Sequence, residues 1–219
     1  MDKIQYLLFD LDDTLYTNTS GLFVEVGARI ESWTARTLGI HPDEARALRR
    51  RYYTAYGTTM AGLLREHADV VDIDSYLNYV HDVDVSRYLT PSPDLASMLQ
   101  ALPVSKAVFT NSITSWAERV TTQLGIRQCF DTIFDVRAVD YHSKPDPHAY
   151  SKVLNTLGLP GEACVMLDDQ ASYLAGAARA GMRTIWVREG GTATDGIDYA
   201  VDHVLDSGPI LRRLLGLQA

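Results

Sequence analysis

Three carboxylates crowd into four positions near the start of the chain: Asp10, Asp12 and Asp13 stand directly behind the apolar run Tyr6-Leu7-Leu8-Phe9. The run has the length of a fully buried strand. Such a strand cannot keep unpaired carboxylates inside, so the acids must emerge at its C-terminal end. Acids converging there repel one another unless a cation lies among them, and hard cations such as Mg²⁺ take oxygen ligands. Two other predicted strands end in polar groups: Lys106 to Thr110 runs into Asn111-Ser112, and Ala163 to Leu167 runs into Asp168-Asp169. Lys144 lies between them in the loop YHSKPDP. Acids, small hydrogen-bond donors and one lysine gathered on a single sheet edge suit a phosphoryl group bridged to a divalent metal.

The elements that must position these groups follow from periodicity and breakers. After the loop formers TNTSG, apolar and aromatic residues at Phe23, Val26, Ile30, Trp33 and Leu38 predict a helix from Leu22 to Leu38, ended by Gly39. Pro42 suits the first turn of a second helix that stops at Gly57, with Asp43 and Glu44 near its positive end. TTMAGLLREH and DSYLNYVHDV predict two more. From about Pro91 helices and short strands alternate: DLASMLQAL, then KAVFT, then a helix opened by a capping box at Ser115-Trp116-Ala117-Glu118, then a strand from Thr132 to Val136. Asp146 and Pro147 start the helix PHAYSKVLNTL. The strand ACVML, the helix SYLAGAARAG, the strand TIWV, a strand from Val201 to Leu205 and a helix from Pro209 complete the pattern. Alternation of this kind predicts an α/β fold: a Rossmann-like parallel sheet covered on both faces, formed by residues 1–16 and 88–219. Residues 17–87 read as an inserted helical subdomain.

Bulk properties narrow the partners. The 219 residues carry 28 acids against 20 Lys plus Arg, a formal charge of -8, which argues against nucleic acid or an anionic membrane. Cys129 and Cys164 have no metal-type spacing and read as reduced thiols. MDKIQYLLFDLDD turns acidic too early for a signal-peptide core, and no later stretch has the length of a membrane span. The expectation is a cytoplasmic protein, monomeric or dimeric, acting on a small phosphorylated metabolite.

DLDDTL, FTNS, Lys144-Pro145-Asp146-Pro147 and LDD, in that order and on those predicted elements, resemble the four motifs of the haloacid dehalogenase-like hydrolase superfamily. DLDDTLY, YYTAYGTTMAGLL and DSYLNYVHDV are further similar to its pyrimidine 5′-nucleotidase branch. The resemblance implies a Mg²⁺-dependent phosphomonoesterase. Asp10 would be the nucleophile and Asp12 the general acid and base; Thr110 and Asn111 would hold phosphoryl oxygens, and Lys144 would pair with both Asp10 and the phosphate. The metal would take the Asp10 carboxylate, the Asp12 carbonyl and an acid of the Asp168-Asp169 pair, with Asp169 preferred as the direct ligand. Dehalogenating relatives lack the second acid, so Asp12 favours phosphoryl transfer. Many relatives place Asp or Asn four residues after the ligand acid, where this chain has Tyr173.

The inserted helices should cap the site. Trp33, Tyr52, Tyr53, Tyr56, Tyr76 and Tyr79 read individually as packing groups, and Arg49-Arg50-Arg51 as a solvated helix face. The helix break Tyr56-Gly57-Thr58-Thr59 is the better candidate to meet the active site. His142 and His148 flank Lys144 without an assigned role. Competing readings are a phosphatase of sugar phosphates or other small esters, a phosphomutase, and a non-catalytic protein that binds phosphate ligands.

Overall fold

The computed structural model describes residues 3–194 and 196–217; of the expected core segments, residues 1, 2, 195, 218 and 219 lie outside it. Six strands form one wholly parallel sheet: β1 (Tyr6–Phe9), β2 (Ser105–Phe109), β3 (Thr132–Phe134), β4 (Cys164–Asp168), β5 (Arg183–Val187) and β6 (Tyr199–Val201), in the order β3-β2-β1-β4-β5-β6. β1 is central, with Leu8 opposite Ala107 on one side and Met166 on the other. Every residue of β1 and β4 is buried, which is why both read as unbroken apolar runs rather than alternating ones.

The two sheet faces carry separate cores. Leu7, Phe9, Val108 and Val165 pack with Leu95 and Leu99 of α5 (Pro93–Gln100), Trp116 and Val120 of α6 (Thr114–Gln123) and Leu211 of α9 (Ser207–Leu214). Leu8, Ala107, Phe109 and Met166 pack with Tyr150 and Val153 of α7 (Pro147–Leu157) and Leu174 and Ala177 of α8 (Ala171–Arg179). The period-2 alternation of side chains in β1 therefore fills both layers.

Between β1 and α5 the chain forms α1 (Leu22–Leu38), α2 (Pro42–Tyr56), α3 (Thr59–Glu66) and α4 (Ile73–Val80). Their inward residues Trp33, Tyr52, Leu63, Tyr76 and Leu77 join the core on the α5, α6 and α9 side. Gly57 separates α2 from α3 with φ +83°, a conformation that costs a β-carbon residue but not glycine.

Two sequence expectations fail locally. Ser115 does not cap α6: the helix starts one residue earlier, and Asp135 accepts from both the Thr114 N–H at 2.9 Å and its hydroxyl at 2.8 Å. A carboxylate from the end of a neighbouring strand has replaced the local cap. The last strand covers Tyr199–Val201 rather than reaching Leu205, because His203 and Asp206 close a capping box on the 3-10 turn that follows. Among the described residues, no helix is long and apolar enough to cross a membrane.

Candidate active site

β1, β2 and β4 end side by side, so Asp10, Thr110 and Asp168 leave the sheet on one edge. This is the crevice at which the strand order reverses, where α/β sheets bind ligands. Lys144, wholly buried, reaches the same point from the loop before α7: its Nζ donates to Asp10 Oδ1 at 2.8 Å and to Asp168 Oδ2 at 2.7 Å. The two carboxylates hold the ammonium charged well above its ordinary range, against the opposing effect of burial. The Thr14 hydroxyl donates to the other Asp10 oxygen at 3.2 Å.

Asn111 fixes the lysine from behind. Its side-chain oxygen accepts the Lys144 N–H at 2.7 Å and its amide donates to the Lys144 carbonyl at 3.1 Å. Both ends of that side chain are thereby used on the lysine loop. Thr110 Oγ1 accepts the Ser112 N–H at 3.0 Å and keeps its own proton for another acceptor.

Asp12 is held differently from Asp10. Tyr16 Oη and Trp116 Nε1 donate to its Oδ1 at 2.7 and 2.9 Å, and Ser112 Oγ donates to its Oδ2 at 2.8 Å. Burial raises the Asp12 carboxyl above its ordinary value while the three donors pull it back. Asp13 turns the chain away with φ 64°.

Asp10, Asp168 and Asp169 each present a carboxylate oxygen within 4.8 Å of the others. Asp168 spends both oxygens inside the protein, on Lys144 and on the Gln170 N–H at 2.9 Å. Asp169 is oriented by Gln170 and by Trp186, whose indole N–H donates to the Asp169 carbonyl at 2.8 Å. Burial, reinforced by Asp168 and Asp10, raises the Asp169 carboxyl above its ordinary range; burial, opposed by Lys144, raises that of Asp168, so both acids lack enough positive charge around them. Three buried carboxylates against one ammonium leave negative charge uncompensated, and all-oxygen donors suit a hard divalent cation. The residues therefore fit Mg²⁺.

The site opens into a cavity of about 600 Å³ between the sheet edge and the inserted helices. Phe23, Val26, Ile30, Met60, Leu77 and Val80 give it an apolar wall. The break at Gly57 lies against the lysine loop: the Gly57 carbonyl accepts from Tyr173 Oη at 2.8 Å, and Thr58 Oγ1 lies 3.3 Å from Ser143 Oγ. Tyr173 thus spans from α8 to the inserted helices. The arginine run divides. Arg51 pairs with Glu66 and Arg49 with Glu31, yet Arg49 and Arg50 also border the cavity. His142 and His148 turn outward, onto Asp146 and Asp140.

Residues 4–181 match the family model of the haloacid dehalogenase-like hydrolases. The chain is a haloacid dehalogenase-like hydrolase. It is 29% identical over 189 residues to phosphate metabolism protein 8 of Saccharomyces cerevisiae, covering 80% of this chain and 58% of that one. It is 32% identical over 117 residues to the pyrophosphatase PpaX of Halalkalibacterium halodurans, covering 52% and 53%. The chain thus spans a little over half the length of these relatives. Among solved structures, a haloacid dehalogenase-type phosphatase from Thermococcus onnurineus superimposes with a TM-score of 0.63 over 97% of this chain and 98% of that one, at 22% identity. For this hydrolase that likeness speaks to the fold.

The donors to Asp12 escaped the reading of the sequence. Tyr16 had a local signal, four residues after Asp12. Ser112 and Trp116 lie 100 and 104 residues away, on the far side of the insertion, and no spacing rule connects them.

Proposed function

We propose that the protein is a Mg²⁺-dependent phosphomonoesterase that works through an aspartyl-phosphate and takes nucleoside 5′-monophosphates. One observation carries the reading: two carboxylates two residues apart, at the same crevice, have opposite surroundings. Burial raises the Asp10 carboxyl, and its pairing with buried Lys144 opposes that shift and favours the ionised form a nucleophile requires. Asp12 is caged by neutral donors, as a group that must both give and take a proton requires.

Asp10 attacks phosphorus in line, forming the acyl phosphate as the ester oxygen departs. Asp12 protonates that oxygen, and then, as carboxylate, takes a proton from the water that cleaves the acyl phosphate. The Thr110 hydroxyl, the Asn111 main-chain N–H and the Lys144 ammonium receive the phosphoryl oxygens. Asp10, Asp169 and the Asp12 carbonyl would hold Mg²⁺, with Asp168 bracing the lysine rather than the metal; bound there, the ion supplies positive charge to the transferring phosphoryl group. Residues 17–87 serve as the cap that screens the reaction from water.

The relative named as a pyrophosphatase supports phosphoryl transfer. The apolar wall supports a leaving group with a flat, poorly hydrated body over a bare polyol. Purified protein should release phosphate from UMP or CMP with Mg²⁺, and Asp10→Asn should abolish release. Undiminished turnover in that variant, or in excess chelator, would refute the mechanism; faster turnover of sugar phosphates would redirect the substrate class.

A further inference from the structure

The wall contributed by α4 is not wholly apolar. Tyr76 and His81 are 3% and 7% exposed, both border the cavity, and each carries one polar atom without a protein partner among the described residues. The Tyr76 ring is fixed edge-on against Trp33, with centroids 5.1 Å apart. His81 uses Nδ1 on the Leu77 carbonyl at 2.8 Å, which places the proton on Nδ1 and leaves Nε2 as an acceptor. Burial pushes this ring down to about 4, so it stays neutral in ordinary buffers. Neither free atom is sealed in: among the described residues the only fully occluded unpartnered side-chain atom is Thr34 Oγ1. The cavity that both residues line is the space open to them. A buried polar group without a partner costs stability unless a ligand or water satisfies it.

Position says which part of a ligand they meet. The His81 ring lies 5.3 Å from Trp116, whose indole N–H holds Asp12. Asp12 serves the departing oxygen, so α4 faces the leaving group rather than the phosphoryl group. Resting on the phosphomonoesterase reading above, we propose that the Tyr76 hydroxyl and His81 Nε2 form the polar half of a leaving-group subsite. That subsite selects phosphate esters whose alcohol carries an N–H or O–H donor on a flat apolar body, as a nucleoside does, over simple aryl esters.

The test uses UMP, ribose 5-phosphate and phenyl phosphate on the full chain. Tyr76→Phe and His81→Phe keep their rings and lose the polar atoms. Each should lower the ratio of kcat/KM for UMP to that for phenyl phosphate by about three- to tenfold, the worth of one neutral hydrogen bond. On an Asp10→Asn background the same changes should weaken UMP binding by a similar factor, measured by calorimetry. A matching loss on ribose 5-phosphate assigns the donor to a sugar hydroxyl, and its absence assigns it to the base; both support the subsite. An unchanged ratio together with unchanged UMP affinity overturns it. If no ester is hydrolysed at all, the phosphomonoesterase reading falls, while the binding comparison still decides whether Tyr76 and His81 recognise a nucleotide. Tyr76→Phe is nearly isosteric and carries the test alone if the histidine variant does not fold.

Discussion

Replacing Tyr16 by Phe removes one hydroxyl from the cage around Asp12 and little else, since the ring stays buried where it is. The lost contact is a 2.7 Å donation to Asp12 Oδ1. Burial and the neighbouring Asp12 hold the tyrosine itself protonated, so it is a donor throughout the working pH range. A hydrogen bond to an ionised group contributes ~1.5–3 kcal/mol, which corresponds to roughly one to two units of pKa. Ser112 and Trp116 remain on the same carboxylate and take up part of the loss, so the lower figure is expected. The sign follows from the role. Tyr16 stabilises the charged form of Asp12, hence its removal raises the pKa. In the proposed mechanism phosphoryl transfer to Asp10 needs Asp12 protonated, so the alkaline limb of kcat/KM against pH should move up by about one unit. The acid limb, which reports Asp10, should stay. The assay is phosphate release from UMP at saturating Mg²⁺ across pH 5 to 10. A shift in the acid limb alone, or none in either, would refute the division of labour between the two aspartates.

Lys144→Met strands Asp10 and Asp168 as buried, unpaired carboxylates; urea denaturation at pH 7.5 should show a loss of about 3–5 kcal/mol, part of it regained at pH 5 where the acids can be neutral, and phosphate release should vanish. A fully stable variant would contradict the buried pairing. Gly57→Ala would place a Cβ 2.8 Å from Pro145 Cδ and 3.1 Å from the Lys144 carbonyl at a φ of +83°; a stability loss of about 1–3 kcal/mol and a fall in activity should appear together in melting and turnover assays. His81 binds fewer protons folded, with its pKa near 4, than unfolded, with its pKa near 6.5. Its contribution is complete above the unfolded value and is lost as pH falls towards 4, so at pH 5 it should have cost roughly 2 kcal/mol relative to pH 7.5. Denaturant midpoints of His81→Phe should be correspondingly less pH-dependent; identical pH profiles would count against the neutral buried ring.

Legibility in the sequence tracked how local each cause was. The buried runs of β1 and β4, the helix stops at Gly39 and Gly57, and the Asp146-Pro147 start of α7 depend on residues within a few positions, and these features stand where the pattern put them. Ser115 misled because the true cap, Asp135, arrives from 21 residues away. Val201 to Leu205 misled because a polar capping box interrupts an apolar-looking stretch. Arg49 and Arg50 belong to one exposed-looking run with Arg51, and only the packing of α2 against α1 turns two of the three towards the cavity.

What the sequence determines by itself is the roster of reacting groups. Carboxylates after buried strands must surface at a sheet edge, and parallel strands share that edge, so the meeting of Asp10, Asp12, Thr110 and the Asp168-Asp169 pair follows from polarity and strand length, while Lys144, in a loop, enters through the family resemblance. Tertiary structure decides how those groups differ. Asp10 meets a charged lysine and Asp12 meets neutral donors because residues about 100 and 134 positions away are folded onto them. Whether Tyr76 and His81 pack or recognise is decided in the same way, since helical spacing places a side chain on a face but not against a partner. Electrostatic environment and cavity shape are properties of contacts between distant segments, and those contacts exist only once the sheet has brought the segments together.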